Sequence, residues 1–231
     1  MRAALHLVQG LLTIACVFPI VPARRERLIR SWSAKLLRIF AMDKHVDGEL
    51  ASREHGLVLV ANHLSWMDIF VINAIQPARF IAKDELARWP MVGWLIRGVG
   101  TLFIDRSSRR HLHEANHRIA EVLAAGDVVA IFPEGTVGPG ELQRFHGSLL
   151  QPVIDQSGVV QALAIRYRDA HGGEGTSAHY ADRNFLQSLW AMTGEPALQV
   201  AVVLGPPVHA GGGQRRDLAA RAEAFIRQVL A

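Results

Sequence analysis

His63 and Asp68 stand five positions apart in "NHLSWMD", directly after the apolar run Leu57-Val58-Leu59-Val60-Ala61. If His63 lies in a turn and Asp68 opens the following helix, the carboxylate folds back onto the imidazole. Such a contact fixes the tautomer, leaves one ring nitrogen free and stabilises the imidazolium that forms when that nitrogen takes a proton. It is the His-Asp half of a nucleophilic triad, with Ser65 too near in sequence to be an easy nucleophile for His63. Without a protein nucleophile, the base would act on a substrate hydroxyl. A histidine beside a carboxylate also serves as a packed structural pair, and the pair alone does not choose between the two roles.

Two further segments sit where a strand would end. "GTLFIDR" closes with Arg106, and Arg109 and Arg110 follow at the start of the next helix. Cations there oppose the helix dipole, which asks for another cause. An anionic substrate group is one, through the forked geometry that suits phosphate or carboxylate; pairing with Asp105 is the other. In "FPEGT", Pro133 and Gly135 set a tight turn that holds Glu134 and the N–H groups of Gly135 and Thr136 at a sheet edge. Such groups can orient a hydroxyl, bind an anion or face an oxyanion, and the same residues also make an ordinary turn.

These segments need a sheet to bring them together. β-type runs are expected at Leu57–Ala61, Arg79–Ala82, Thr101–Asp105, Val128–Phe132, Val159–Tyr167 and Leu198–Leu204. Helical patterns are expected at Asp68–Ile75, Glu85–Arg97, Ser108–Ala125, Gly147–Gln156, Asn184–Met192 and Gln214–Leu230. The alternation indicates a single α/β domain with a mixed, mostly parallel central sheet flanked by helices. In an open α/β sheet, reactive groups gather at the carboxyl ends of the strands, where all three segments fall.

Ahead of this domain, Ala3 to Ala23 is apolar apart from His6, Gln9 and Thr13, and Arg24, Arg25, Arg27 and Arg30 follow. The length is close to the roughly 20 residues that cross a bilayer, and the arginines read as a cytoplasmic anchor. The expectation is a retained membrane-associated segment, spanning or half-inserted, at the cytoplasmic face of the inner cell membrane. From Leu28 the spacing of Leu28, Trp32, Leu36, Leu37 and Phe40 predicts an amphipathic helix. The chain therefore divides into an anchor and amphipathic helix at 1–42 and a catalytic domain at 43–231. The single cysteine, Cys16, excludes an internal disulfide and a multi-cysteine metal site. The formal charge of +4 favours anionic partners, but no aromatic-rich recognition motif points to nucleic acid. His113 and His117 have the spacing of a helical zinc pair with no third ligand evident, so no metal site is assigned.

Taken together, "NHLSWMD", "GTLFIDR" and "FPEGT", in this order and spacing, resemble the blocks of the 1-acyl-sn-glycerol-3-phosphate (glycerolipid) acyltransferase family, the first matching its NHxxxxD motif. The likeness runs from about Leu57 to Pro207, with "VVQALAIRY" similar to the fourth block. It implies transfer of a fatty acyl group from acyl-CoA or acyl-carrier protein to the free hydroxyl of a lysophospholipid, by default 1-acyl-sn-glycerol 3-phosphate giving phosphatidic acid. It also implies His63 and Asp68 as the catalytic pair, with Arg106, Asn62, Phe103, Glu134, Gly135 and Thr136 around the acceptor. No metal or cofactor is implied, because a thioester is already activated. Many family members carry arginine after "FPEGT", whereas this chain has Val137, and relatives with variant third blocks acylate other lyso-lipids such as lyso-ornithine lipid. The readings of another class are a lipid hydrolase, using His63 and Asp68 to activate water or Ser65, and an inactive lipid-binding protein.

Overall fold

The computed structural model describes residues 2–18, 20–88, 92–104, 109–135, 141–180, 185–195 and 197–231. Its strands are β1 (Met42–Asp47), β2 (Leu57–Ala61), β3 (Arg79–Lys83), β4 (Leu102–Ile104), β5 (Val129–Ile131), β6 (Val159–Arg168), β7 (Leu198–Leu204) and β8 (Val208–His209). Its helices are α1 (Arg2–Leu12), α2 (Arg25–Ile39), α3 (Asp68–Ile75), α4 (Val92–Gly98), α5 (Arg109–Ala124), α6 (Gln151–Asp155), α7 (Phe185–Thr193) and α8 (Arg215–Leu230). The strands form one sheet in the order β1-β7-β6-β2-β5-β3-β4, with β8 also on β6. Among the strand pairs of the described residues only β6/β7 and β6/β8 are antiparallel, so the sheet is mixed and mostly parallel.

β2 lies at the centre, and every one of its residues is buried. Leu57, Leu59 and Ala61 pack into one layer with Leu36 and Leu37 of α2 and Val71 and Ile72 of α3. Val58 and Val60 point the other way, toward Ile119 and Leu123 of α5, Val153 of α6 and Leu218 and Ile226 of α8. A strand covered on both faces must be apolar throughout, which is why it reads as a continuous run.

Three expectations are corrected. The helix expected over Glu85–Arg97 is a 3-10 turn at Asp84–Arg88 and a separate α4, with Pro90 in the sequence between them lacking the N–H that a continuous helix requires. The helix expected from Gly147 is a 3-10 turn at Gly147–Leu149 followed by α6, which carries Pro152 in its first turn. The apolar N-terminal stretch does not make a spanning helix: among the described residues no helix is long and apolar enough to cross a membrane. α1 has 11 residues and passes into a π-helical turn at Thr13–Val17, so its α-helical part is only about 16 Å long.

α1 instead lies on α2. The His6 ring stacks on Trp32 at 4.5 Å, its Nε2–H donates to the Trp32 carbonyl, and Trp32 Nε1–H returns a bond to the His6 carbonyl. Gly10 makes this approach possible, since a Cβ there would stand 2.8 Å from Trp32 Nε1. Leu5, Val8 and Leu12 lie exposed along the outer side of α1, and Ile20 is exposed beyond it. A boundary at residue 42 falls on the first residue of β1, an edge strand of the same sheet, while α2 on its near side buries Leu36 and Leu37 in the shared core.

Candidate active site

β2 and β5 are parallel neighbours, so the chain leaves both at the same sheet edge. After β2 the link Asn62–Met67 leads into α3; after β5 comes the Phe132–Gly135 turn. Asn62 extends the β2/β6 ladder with its side chain: its amide donates to the Ile165 carbonyl at 2.9 Å and its carbonyl accepts from Ile165 N–H at 2.8 Å. It is buried with both polar ends in use, which makes it a tie between strands and removes it from the substrate contacts expected of it.

His63 Nδ1–H donates to Asp68 Oδ2 at 2.9 Å. The same oxygen accepts the Leu64 N–H at 2.8 Å and the Ser65 N–H at 2.9 Å. Asp68 is the first residue of α3 and fully buried, so the backbone donors and the helix N-terminus hold its charge in place of water. Oδ1 accepts the Tyr167 hydroxyl at 2.6 Å. Burial, with the Asp68 charge beside it, pushes the Tyr167 phenol well above its ordinary value, so the group is a neutral donor. His63 Nε2 meets no hydrogen-bond partner among the described residues, and the imidazole face lies on Phe132 with centroids 4.0 Å apart. A neutral histidine fixed by Nδ1 and free at Nε2 is the form in which it takes a proton from a substrate.

Glu134 braces the two loops. Its Oε1 accepts the His63 backbone N–H at 2.8 Å and its Oε2 the Gln143 N–H at 2.9 Å. Burial raises its carboxyl above the usual range, and those two bonds offset only part of the shift. Gly135 has φ +80°, where a side chain would be strained, and its N–H closes the turn on the Phe132 carbonyl at 3.1 Å. That N–H is therefore spent inside the turn and does not face a substrate, contrary to the expectation.

A cleft of about 390 Å³ opens on His63, walled by Ile69, Phe80, Ile96, Phe132 and Gly135, with Lys83, Glu85, Thr101 and Tyr180 at its polar margins. Ile69 and Ile96 also line an apolar cavity of about 260 Å³ that lies under α1 and α2 beside Phe18, Trp32 and Leu95. Phe103 is not among the cleft residues. It lies under the Arg97 guanidinium at 5.7 Å, in a neighbouring hollow with Asp84, His111 and Arg118. Arg106, Thr136 and Val137 lie outside the described residues. Ser65 is fully buried, its hydroxyl accepting the Met67 N–H and meeting the Tyr167 phenol. No nucleophile can work from there, which removes the Ser65 version of the hydrolase reading. Tyr167, Lys83, Tyr180 and the Phe132 stack were not expected; of these only Lys83, a cation ending a strand, carried a visible sequence signal.

The Acyltransferase family model matches residues 44–166, more than half of the chain. A lyso-ornithine lipid O-acyltransferase of Pseudomonas aeruginosa is 36% identical over 207 residues, covering 89% of this chain and 79% of that protein. A 1-acyl-sn-glycerol-3-phosphate acyltransferase of Neisseria meningitidis is 32% identical over 212 residues, covering 91% and 83%. The crystal structure of the 1-acyl-sn-glycerophosphate acyltransferase of Thermotoga maritima superposes with a TM-score of 0.67 at 22% identity, over 100% of this chain and 97% of that one, and so shares the fold. With the His63–Asp68 pair at the edge of a mixed α/β sheet and relatives of this identity over most of its length, the chain belongs to the acyltransferase family.

Proposed function

We propose that the protein transfers a fatty acyl group from an acyl thioester, acyl-CoA or acyl-carrier protein, to the free hydroxyl of a lyso-lipid. The observation that carries this is the His63 imidazole, fixed at Nδ1 by a buried carboxylate and open at Nε2 to a cleft with apolar walls. Nε2 takes the proton of the acceptor hydroxyl as its oxygen attacks the thioester carbonyl, and Asp68 stabilises the imidazolium. Collapse of the tetrahedral intermediate forms the ester, breaks the C–S bond and returns the proton from His63 to the leaving thiolate. No covalent acyl-enzyme is required, in keeping with a buried Ser65.

The default acceptor is 1-acyl-sn-glycerol 3-phosphate, giving phosphatidic acid. Lys83 at the cleft margin supplies a phosphate contact, with Gly135 in the wall and Glu134 bracing the turn behind it; Arg106 and Thr136, outside the described residues, are the further acceptor contacts that the family resemblance implies. Lyso-ornithine lipid is the second reading, favoured by Val137 in place of the arginine usual there and by the similarity to an enzyme named for that lipid. The exposed apolar side of α1, followed by the arginines of α2, lies in one leaflet at the cytoplasmic face and brings the cleft to membrane-borne acceptors.

The test is acyl transfer from labelled acyl-CoA and acyl-carrier protein to 1-acyl-sn-glycerol 3-phosphate, other lysophospholipids and lyso-ornithine lipid, with His63→Ala as control. Product from one acceptor, lost in the variant, supports the reading and names the acceptor. Thioester cleavage that proceeds equally without any acceptor would overturn it in favour of a hydrolase.

A further inference from the structure

Asp68 uses its two oxygens differently. Oδ2 serves His63 and two backbone N–H groups on the turn that leads into α3. Oδ1 has one donor among the described residues, the Tyr167 hydroxyl, which reaches across from β6. Tyr167 is 1% exposed, and the hydroxyl of Ser65 lies against its phenol while accepting the Met67 N–H. The result is a buried relay in which Tyr167 on β6, with the Ser65 hydroxyl beside it, donates to Asp68, and Asp68 in turn holds His63 with its open imidazole nitrogen.

We propose that Tyr167, backed by Ser65, is a positioning residue of the reaction: its hydroxyl locks the Asp68 carboxylate so that Oδ2, and with it the His63 ring, keeps the one orientation that aims Nε2 into the cleft. The proposal rests on His63 being the base. A carboxylate can turn about its Cβ–Cγ bond, and where it is closed off from bulk solvent fixed donors are what hold it. The backbone donors grip Oδ2 from one side of the turn; Tyr167 grips Oδ1 from a different strand and so sets the plane of the group. Phe in its place would keep the shape and packing of the ring while leaving Oδ1 buried with no donor, which is costly enough to favour a rotated or protonated carboxylate.

The experiment uses the full chain in detergent micelles, as wild type, Tyr167→Phe, Ser65→Ala and the double variant. Nitrogen-15 NMR of the His63 ring, with the imidazole neutral, reads the tautomer and the Nδ1–H resonance, and steady-state kinetics with the best acceptor read kcat and KM separately. The expected result for Tyr167→Phe is a mixed tautomer with a weakened Nδ1–H signal, kcat lower by about tenfold or more, and KM for donor and acceptor within twofold of wild type. Ser65→Ala shifts the same readings less, and the double variant is no worse than Tyr167→Phe, because the two act in one chain. If Tyr167→Phe does not fold, Ser65→Ala carries the test alone. An unmoved His63 spectrum with unchanged kcat, whether or not the melting temperature falls, would show that Tyr167 only packs and would overturn the proposal. The spectroscopic arm needs no substrate, so a wild type that transfers nothing to any acceptor would refute the reaction while leaving the positioning measurable.

Discussion

Replacing Asp68 by Asn removes one charge and almost nothing else, so its effect can be worked out from the geometry. Three N–H groups converge on Oδ2: His63 Nδ1–H, Leu64 N–H and Ser65 N–H. An amide NH2 cannot occupy that position, so the Asn oxygen must take it and the NH2 must face the Tyr167 hydroxyl, which can rotate to accept. The Asp68→Asn protein therefore keeps its fold and its His63 tautomer. What disappears is the attraction between carboxylate and imidazolium in the transition state. At a charge separation of about 4 Å and an effective dielectric of about 20 this is worth about 4 kcal/mol, and a kcat lower by about 10³ follows. The His63 side chain is partly solvated and Asp68 fully buried, so the protein-like dielectric is the appropriate choice over that of water. The assay is single-turnover acyl transfer with saturating donor and acceptor, beside a thermal melt. A loss of less than tenfold with an unchanged melt would mean that Asp68 is a turn-maker only, and would refute the assignment of His63 as a base tuned by it.

Asn62→Ala strips both Ile165 backbone groups of their partner inside a buried ladder and is expected to cost about 2–4 kcal/mol in denaturant unfolding; a cost under about 0.5 kcal/mol would show that the tie is dispensable. Glu134→Gln keeps one of two acceptor bonds, loosening either the His63 or the Gln143 N–H, and should lower kcat. Because folding raises the Glu134 carboxyl, its contribution to stability is complete below the ordinary carboxylate range and is lost as the pH rises through the folded value. The stability advantage of the wild type over Glu134→Gln should thus shrink between about pH 4 and neutrality, as measured by denaturation at both; an advantage that grows would contradict the direction of the shift.

What the sequence made legible was local. The bounds of β2 and α3 match the expected Leu57–Ala61 and Asp68–Ile75, because a strand buried on both faces leaves an unbroken apolar run and the helix opens on a carboxylate beside its positive end. β1 left no such trace: "MDKHVD" is an edge strand exposed over much of its length, so little apolar patterning marks it. The family resemblance sets Phe103 around the acceptor, but order along the chain says nothing about which side of an edge strand a residue takes. The apolar N-terminus had the length of a spanning helix, whereas the stacking of His6 on Trp32 and the gap left by Gly10 depend on α2 lying beside it.

The contacts that brace the local His63–Asp68 turn join distant parts of the chain. Asn62 meets Ile165 at a separation of 103 residues, Asp68 meets Tyr167 at 99 and His63 meets Glu134 at 71. Each crosses the ladder β5-β2-β6, and the register of that ladder, Val60 beside Ile131 and Ala61 beside Leu163, decides them all. Once β2 is known to lie between those two strands, the residues just past the end of β5 and the last residues of the longer β6 can do little except meet at the turn of His63. Strand order was the missing variable. A buried tyrosine four residues beyond the partner of Ala61 acquires meaning only when β6 is set against β2, and that pairing turns "AIRY" from an apolar strand with a polar end into an arm reaching the catalytic carboxylate.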